Sequence, residues 1–359
     1  MKKIAIMVTA LMVLSGYQKG DCSVPSGGLI SGGSQTIARV PSASNDEQNG
    51  FSFDEMAPPQ QDKLNQILNK FIKIHPDFTD LLFLTSLIDS QDIPKTLLAS
   101  FKNKGIATSF AYNLKIYSLI SDNPLVSFQN EGVFIMHRST QEMVLSYLME
   151  KLSVEQREQL MQNIVECLVK NMAALMKDES TTSCDILSRH ALSLLGHKNL
   201  LSPESEAKVM IPLGNMLKYP VGNYELAKTV LREVADISQR NGDNKGAAKA
   251  FGYLGSCYTE DYKQAQFFLE QSLELDKSQD TESQEIRASN FVYLGIALKN
   301  LGEYTKSLDC YERSLEFWKN NKNDGKIART QVYMAMTCAS LKDFEKAKSL
   351  LINSLCAPR

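Results

Sequence analysis

The sequence lacks the short motifs on which most catalytic and cofactor sites are built. It contains no C-x-x-C, G-x-x-x-x-G-K-[ST], G-x-G-x-x-G or H-E-x-x-H string. This absence argues against the usual zinc, phosphate-loop and dinucleotide sites. The seven cysteines among 359 residues are odd in number and scattered, so we expect buried free thiols without a disulfide framework. We therefore predict no enzyme activity, no cofactor and no metal.

An excess of charge of one sign is also missing. The 39 basic and 41 acidic residues leave a net charge of −2, so nothing global favours nucleic acid or an anionic membrane. Hydrophobic residues make up 43% and charged residues 22% of the chain, as in ordinary soluble globular proteins. The length allows two or three compact domains. DNA binding is not the expected function.

The first residues have the layout of a bacterial export segment. Lys2 and Lys3 precede an apolar run, Ile4–Leu14, which is too short to span a bilayer comfortably. We predict a signal-like segment over 1–22 and a disordered linker over 23–60, where glycine and serine are frequent. Tyr17 stands where a lipoprotein would need cysteine, so no lipid anchor is expected. The alternative is a cytoplasmic protein with an apolar start.

The segment 61–152 predicts three helices followed by a hairpin. Gly105 is expected to end the second of these helices, and the third is predicted over about Thr108–Ile120. Two β-prone runs, Leu125–Phe128 and Val133–Met136, then flank a turn that contains glycine. This order predicts a winged-helix-like domain.

Linker helices are predicted over 153–200. Ser153 and Gln156 form a capping box at the start of the first one. His190 and His197 lie seven residues apart on a later helix without an evident third ligand, so we interpret both as packing or surface residues.

The end of the chain is repetitive, with a period near 40 residues. Four dipeptides that begin with Leu or Met recur at intervals of 41, 40 and 40 residues, namely Leu213-Gly214, Leu254-Gly255, Leu294-Gly295 and Met334-Ala335. An aromatic residue and a small residue three positions later follow each pair. Such periodicity predicts stacked helix pairs that bury their apolar faces against one another.

This pattern resembles the tetratricopeptide repeat, in a long-loop form similar to that of kinesin light chains. We predict an α-solenoid of about four such helix pairs over 201–359. The fold class is therefore mainly α, with a winged-helix-like domain and small hairpin ahead of the solenoid. No polar capping helix follows the last pair, so Leu350, Leu351 and Leu355 are expected to stay partly uncovered and to support weak self-association.

Residues from about 75 to the end also resemble the C-terminal half of bacterial STAND (NB-ARC-like) NTPases. The resemblance is carried by the string Phe134-Ile-Met-His-Arg-Ser-Thr-Gln-Glu142 after the hairpin and by the repeats that follow. The NTPase domain that this family carries ahead of the winged helix has no counterpart here. His137 matches a position that senses nucleotide phosphate in the family, but without a phosphate loop we interpret it as structural.

The resemblance to tetratricopeptide repeats implies that the first helix of each pair lines a concave groove. Nine residues are predicted to contact a partner there: Lys208, Asn215, Lys249, Tyr253, Tyr293, Ile296, Lys299, Arg329 and Tyr333. Basic and tyrosine side chains suit an extended peptide or protein that carries carboxylates. The alternative is that the charges form a solvated face and the tyrosines pack between repeats.

We predict a non-enzymatic interaction scaffold that binds a protein or peptide. The alternative is the regulatory half of a STAND-type switch whose NTPase domain has been lost or lies on another chain.

Overall fold

The structure, a computed structural model, describes residues 58–122, 132–178 and 180–355. Two compact units divide these residues, the first ending at Cys257 and the second beginning at Tyr258. The predicted export segment 1–22 and the linker as far as residue 57 lie outside the described residues. The first helix begins at Pro58, slightly before the predicted domain boundary at 61.

The first unit is built from helices around one small sheet. In chain order its elements are α1 (Pro58–Phe71), α2 (Asp77–Leu87), β1 (Ile93–Pro94), α3 (Lys95–Phe101), α4 (Lys104–Ile116), β2 (Ser121–Asp122), β3 (Val133–Ile135), α5 (Arg138–Lys151), α6 (Val154–Asp178), α7 (Thr181–Gly196), a short 3-10 helix (Lys198–Leu200), α8 (Pro203–Lys218), α9 (Tyr224–Arg240) and α10 (Asn244–Cys257).

The second unit is helical throughout its described part. Its elements are α11 (Tyr262–Leu275), α12 (Thr281–Asn300), α13 (Tyr304–Asn320), α14 (Asp324–Ser340) and α15 (Phe344–Leu355). Consecutive helices pack against each other from α11 to α15, as do α8, α9 and α10 in the first unit. The predicted fold class is confirmed: the chain is mainly α-helical, with a small sheet ahead of stacked helix pairs. In the described ranges, no helix is both long and apolar enough to cross a membrane.

Side-chain caps fix where the repeat helices begin. The side-chain oxygens of Asn223, Asp261, Asp280 and Asn323 each accept a 3.1 Å hydrogen bond from the backbone N–H three residues on. Each cap satisfies one donor that the first helical turn cannot pair internally. Asn223 and Asp261 cap second helices 38 residues apart, and Asp280 and Asn323 cap first helices 43 residues apart.

The small sheet differs from the predicted hairpin. Strand β3 lies between the other two strands and pairs antiparallel with both. The predicted run Leu125–Phe128 lies outside the described residues, and Ser121–Asp122 is the segment that pairs with β3. On the other side Ile93 pairs with Phe134, so a strand precedes α3 where the sequence indicated only a helix start.

Helix α4 begins earlier than predicted. Its first residue is Lys104 and its last is Ile116, against the predicted Thr108–Ile120. The Asn103 side chain accepts a 2.9 Å hydrogen bond from the backbone N–H of Ile106, which caps the helix. Gly105 therefore lies inside the first turn of α4 and does not end the preceding helix.

Helix α2 forms the centre of the first unit, because nearly all of its side chains are buried. Gln141 of α5 closes its C-terminal end by donating hydrogen bonds to the carbonyl oxygens of Thr85 (2.7 Å) and Ile88 (3.0 Å). These carbonyls have no partner within the helix, so one buried amide satisfies two of them.

The predicted capping box at the start of α6 is present: Ser153 and Gln156 exchange two hydrogen bonds.

The predicted exposure of the last helix is partly wrong. Leu351 is buried in a cluster with Ala335, Cys338 and Ala347, and Leu350 packs at the edge of that cluster. Leu355 does remain exposed, as predicted. The reason is that α14 already covers the side of α15 on which Leu351 lies.

Candidate functional site

The first helices of the repeats share one pattern of exposure. Leu294 and Gly295 are buried in α12, as are Met334 and Ala335 at the same register in α14. The flanking residues are only half-buried. We call the partly or fully exposed side of these helices the inner face; it comprises Lys208, Asn215, Lys218, Lys249, Tyr253 and Ser256 in the first unit, and Val292, Tyr293, Ile296, Lys299, Arg329, Val332, Tyr333, Met336 and Ala339 in the second.

Tyr333 occupies the centre of the inner face of α14 and is held by two neighbours. Its ring stacks on the fully buried ring of Tyr311, with centroids 6.2 Å apart and planes at 16°. The guanidinium carbon of Arg329 lies 5.9 Å from the Tyr333 ring centroid, and its Nε lies 3.4 Å from the hydroxyl oxygen. Tyr333 is therefore a rigid side chain whose ring contacts both Tyr311 and Arg329.

Tyr293 and Ile296 also pack against the core while staying half-exposed. Tyr293 contacts the cluster that contains Leu294 and Leu298, and Ile296 contacts the cluster around Tyr311. The tyrosines thus follow the alternative left open by the sequence, in which they pack within the solenoid. Both Tyr293 and Ile296 remain partly exposed.

Lys299 differs from its basic neighbours. It is half-buried on the inner face of α12, and burial lowers the pKa of its ammonium group. Among the described residues, its Nζ atom has no hydrogen-bond or ion-pair partner. An ammonium group that has lost water without gaining an anion is destabilised.

In the first unit, Lys218 connects α8 to α10, the first helices of two successive repeats. Its Nζ donates a 2.9 Å hydrogen bond to Oγ of Ser256 and lies 5.8 Å from the Tyr253 ring centroid. Lys218 is not among the predicted site residues, although it shares a register with Lys299.

Lys208, which is among the predicted site residues, forms a 2.7 Å ion pair with the exposed Glu204 one turn earlier, so part of its charge is neutralised. Such exposed pairs contribute little to stability.

Acidic residues are confined to the first five residues of the inner-face helices. No Asp or Glu occurs after Glu206 in α8, anywhere in α10, after Glu285 in α12 or after Asp324 in α14. The second helices α9, α11 and α13 carry acidic residues along their length, for example Glu312 and Glu316 in α13, whereas α15 has only Glu345 in its first turn. Beyond those positions the inner-face helices therefore carry basic but no acidic side chains.

The last two helix pairs match a known repeat family. Residues 286–354 match the family model of the tetratricopeptide repeat. No curated protein sequence matches the chain.

Several solved structures resemble the chain at low sequence identity. BtubC from P. vanneervenii is 17% identical over 56% of this chain and 85% of its own, with a TM-score of 0.46. A Podospora anserina putative kinesin light chain with nearly identical repeats is 13% identical over 56% of this chain and 95% of its own, with a TM-score of 0.44. A STAND protein with a tetratricopeptide repeat sensor from Pyrococcus horikoshii is 14% identical over 81% of this chain and 52% of its own, with a TM-score of 0.30.

The predicted site residues fall into two groups on the tetratricopeptide-like helices. Four belong to the first unit, namely Lys208, Asn215, Lys249 and Tyr253. Five belong to the second, namely Tyr293, Ile296, Lys299, Arg329 and Tyr333. The second group lies on α12 and α14, which also contact each other.

The sequence interpretation missed the apolar character of the second group. Val292, Val332 and Met336 are half-exposed like Ile296, so the inner face of α12 and α14 carries apolar as well as basic residues. The register itself could have shown this, because the hydrophobic residues recur at the same 40-residue offset as the tyrosines.

His137 and His190 both contact neighbouring polar groups of the fold. His137 lies at the junction of β3 and α5, where its Nδ1 is 2.9 Å from Oγ of Ser139. His190 is fully buried and its Nε2 lies 3.2 Å from the carbonyl oxygen of Asp92. Within the described ranges, no group of three His, Cys, Asp or Glu residues could hold a metal ion.

Proposed function

We propose that this chain is a non-enzymatic adaptor whose inner face binds an acidic protein or peptide. Tetratricopeptide repeats generally mediate protein–protein interactions, and residues 286–354 match that family. The observation that carries the acidic preference is that Asp and Glu occur only within the first five residues of the inner-face helices. Complementary charge speeds association and disfavours basic partners.

The shape of the inner face supports the same proposal. Tyr293 and Tyr333 are rigid, so they lose little conformational entropy when a partner binds. Ile296 and Met336 offer apolar area between them and the basic residues. Aromatic and apolar residues at the centre with charges at the rim are typical of protein interfaces.

A charge-reversal pair tests this function. In Lys249→Glu/Arg329→Glu, one inner-face cation of each unit becomes an anion, and we expect affinity for the partner to fall about ten- to hundredfold because like charges then oppose each other. The measurement is quantitative recovery of bound protein on the immobilised full chain, followed by titration of the recovered partner.

The matched control is Lys263→Glu/Lys306→Glu. It makes the same change in net charge, but both lysines are exposed on second helices. We expect this control to bind as the unaltered chain does. Equal loss in both variants would show that net charge, and not the inner face, governs binding.

A second candidate function is the regulatory half of a STAND-type switch. The order of elements favours it: β1 lies between α2 and α3, and β2 and β3 follow α4, as in a winged-helix domain. In that case the recovered partner would be a nucleotide-binding protein whose retention differs between ATP and ADP. The adaptor function requires no such dependence.

We further propose that the last helix mediates weak self-association. Phe344, Ile352 and Leu355 are 61%, 39% and 52% exposed, and with Lys348 they form one stripe at helical spacing. Ile352→Glu/Leu355→Glu is expected to weaken any dimer at least about tenfold in sedimentation velocity, because it places charge in an apolar contact. Ser349→Glu/Asn353→Glu on the exposed side of the same helix is the control. A dimer that survives the first variant unchanged would remove α15 from the contact.

A further inference from the structure

Helix α4 of the first unit, which is not one of the inner-face helices, presents an exposed apolar stripe. Tyr112 and Ile116 lie one turn apart on it and are 66% and 57% exposed. Lys104 lies about two turns before Tyr112 on the same side, and Lys115 adjoins Ile116; both lysines are exposed. Clustered apolar side chains bordered by polar ones are typical of an interaction site.

The charge around this stripe is of one sign. No acidic residue occurs between Asp92 and Asp122, whereas this stretch contains four lysines. Asp77 and Asp80 of α2 are engaged by Lys102. The exposed lysines of α4 neutralise too few phosphates for DNA, so the surface fits an apolar segment that carries a few carboxylates.

The chain itself contains a segment of that chemistry. Two pairs of acidic residues, Asp46-Glu47 and Asp54-Glu55, stand on either side of Phe51 and Phe53. Residues 40–62 include no lysine or arginine. The order acid, apolar, acid along this segment complements the order lysine, tyrosine, lysine along α4.

The segment also joins the first unit at a place from which α4 is within reach. It leads directly into α1, whose last residue, Phe71, contacts the ring of Tyr117 just after α4, with centroids 5.8 Å apart. The axis of α1 is about 20 Å long, and the seven residues from Phe51 to Pro58 extend to about 24 Å. A segment that runs back along α1 therefore brings Phe51 to the C-terminal end of α4.

We propose that residues 46–56 dock on the exposed side of α4, where the two phenylalanines pack on Tyr112 and Ile116. The carboxylates on either side of the phenylalanines then face Lys104 and Lys115. Because the segment is tethered to the same unit, its effective concentration is high and a weak contact suffices. An external ligand of the same chemistry must displace it before it reaches α4.

The experiment measures how far docking protects the segment in the full chain. A glutamate-specific protease cuts after Glu47 and Glu55, and the early products are identified by intact mass. Each cleavage rate is divided into that of a synthetic peptide of residues 40–62 with the same sequence, which has no α4 to bind. We expect the full chain to be protected at least about tenfold at these two bonds.

Two pairs of substitutions on α4 should remove this protection independently. Tyr112→Ser/Ile116→Ser takes away the apolar contact, and Lys104→Asp/Lys115→Asp reverses the charge. Each should reduce protection to within about threefold of the peptide, because apolar and charged contacts both contribute. Protection that survives both pairs would show that the segment does not lie on α4.

An exchange of charges tests whether the contact is direct. Asp46→Lys/Asp54→Lys by itself should lose protection, with rates again compared with a peptide that carries the same changes. Combined with Lys104→Asp/Lys115→Asp, it should regain most of the protection, because opposite charges face each other again. Damage to the fold of α4 could not be repaired by changes outside the helix, so absence of rescue would contradict the contact.

The matched control is Lys170→Asp/Lys177→Asp, which makes the same change in net charge on exposed residues of α6. We expect it to keep the full protection. Equal loss in this control, or an unaltered chain that is cut as fast as the peptide, would overturn the proposal. Protection that increases with protein concentration would assign the segment to the α4 of a second copy and would also overturn it.

Discussion

Gly295→Ala is expected to lower the free energy of unfolding of the second unit by about 2–3 kcal/mol. A Cβ atom at position 295 would lie 2.5 Å from Cε1 and 2.8 Å from Cζ of Tyr311. The Tyr311 ring is fully buried and stacks on Tyr333, so it has no open space into which to move. The helices α12 and α13 must therefore separate, or the ring must leave its place.

Trp318 makes this effect directly measurable. It is the only tryptophan of the chain and lies buried in α13, so its fluorescence during urea titration reports on the second unit. The matched control is Gly325→Ala in the first turn of α14, where the nearest atom, Asn323 Oδ1, lies 3.9 Å from an added Cβ. There we expect equal or slightly greater stability, because alanine favours the helix more than glycine does.

The next repeat supplies the substitution that should rescue the fold. At the same registers, Ala335 replaces Gly295 and Leu351 replaces Tyr311, and both are buried together in one cluster. Gly295→Ala/Tyr311→Leu should therefore be more stable than the sum of the two single effects, by about 1–3 kcal/mol of coupling. Strict additivity would mean that the alanine clashes with something other than Tyr311.

The same variant links the core to the inner face. Tyr333 owes its position to the Tyr311 ring, so displacing that ring moves an inner-face side chain. Gly295→Ala should thus alter partner binding as well as stability. The double variant should regain more stability than binding, because an aliphatic side chain in place of the Tyr311 ring offers Tyr333 no surface on which to stack.

The repeat helices were predictable from the sequence because their spacing reflects a physical need. Leu294-Gly295 recurs where two helices cross, since a small residue there must admit a large one from the neighbouring helix. The caps Asn223, Asp261 and Asn323 likewise stand where the spacing expects helices to begin. Local sequence and packing agree at these positions.

The sheet was less predictable because its short strands carry little pattern. Ser121–Asp122 has neither alternation nor β-branched residues, and it pairs because β3 presents backbone groups beside it. The start of α4 was readable in principle, since Asn103 is a good cap. The prediction treated Gly105 as the end of the preceding helix and overlooked Asn103 as the cap of α4.

The candidate site was predictable in its residue types but not in their states. The spacing placed Tyr333, Arg329 and Lys299 on one side of the solenoid. It could not show that Arg329 is engaged with Tyr333 while Lys299 has no partner among the described residues, because burial depends on neighbouring helices. For the same reason Leu351 is buried in a helix whose Leu355 is exposed.

His190 should make the first unit sensitive to acid. The side chain is fully buried in α7, and burial lowers the pKa of its imidazole from 6.5 to about 4. Nearby Asp89 and Asp92 oppose this shift, and Arg189 supports it. Between the two pKa values the unfolded chain binds a proton that the folded chain does not, so stability falls as the pH decreases through this range.

The expected loss is large for one residue. One pKa unit corresponds to about 1.4 kcal/mol, so the fall from pH 6.5 to pH 4 should lower the free energy of unfolding by about 3 kcal/mol through His190 alone. Well above pH 6.5 the imidazole is neutral in both states, and its titration has no effect on stability there. Urea unfolding followed by circular dichroism measures this difference, with Trp318 fluorescence identifying the transition of the second unit.

A substitution isolates the contribution of His190 from that of the carboxylates. In His190→Gln the titrating group is gone, so the difference in stability between pH 6.5 and pH 4 should shrink by about 3 kcal/mol. His137→Gln, which replaces an exposed histidine, should leave most of that difference in place. If both variants changed it equally, burial of His190 would not be the cause of the acid sensitivity.

The position of His190 shows which part of the fold this acid sensitivity should affect first. The loop after α2 is bound to α7 by Arg189, which pairs with Asp89 at 3.1 Å and Asp92 at 3.0 Å, and by His190 through the Asp92 carbonyl. A protonated imidazole in this buried place must gain water, which requires α7 to separate from the loop. As the pH is lowered, amide hydrogen exchange of α7 should therefore accelerate before the protein unfolds globally. In His190→Gln this early acceleration should be absent.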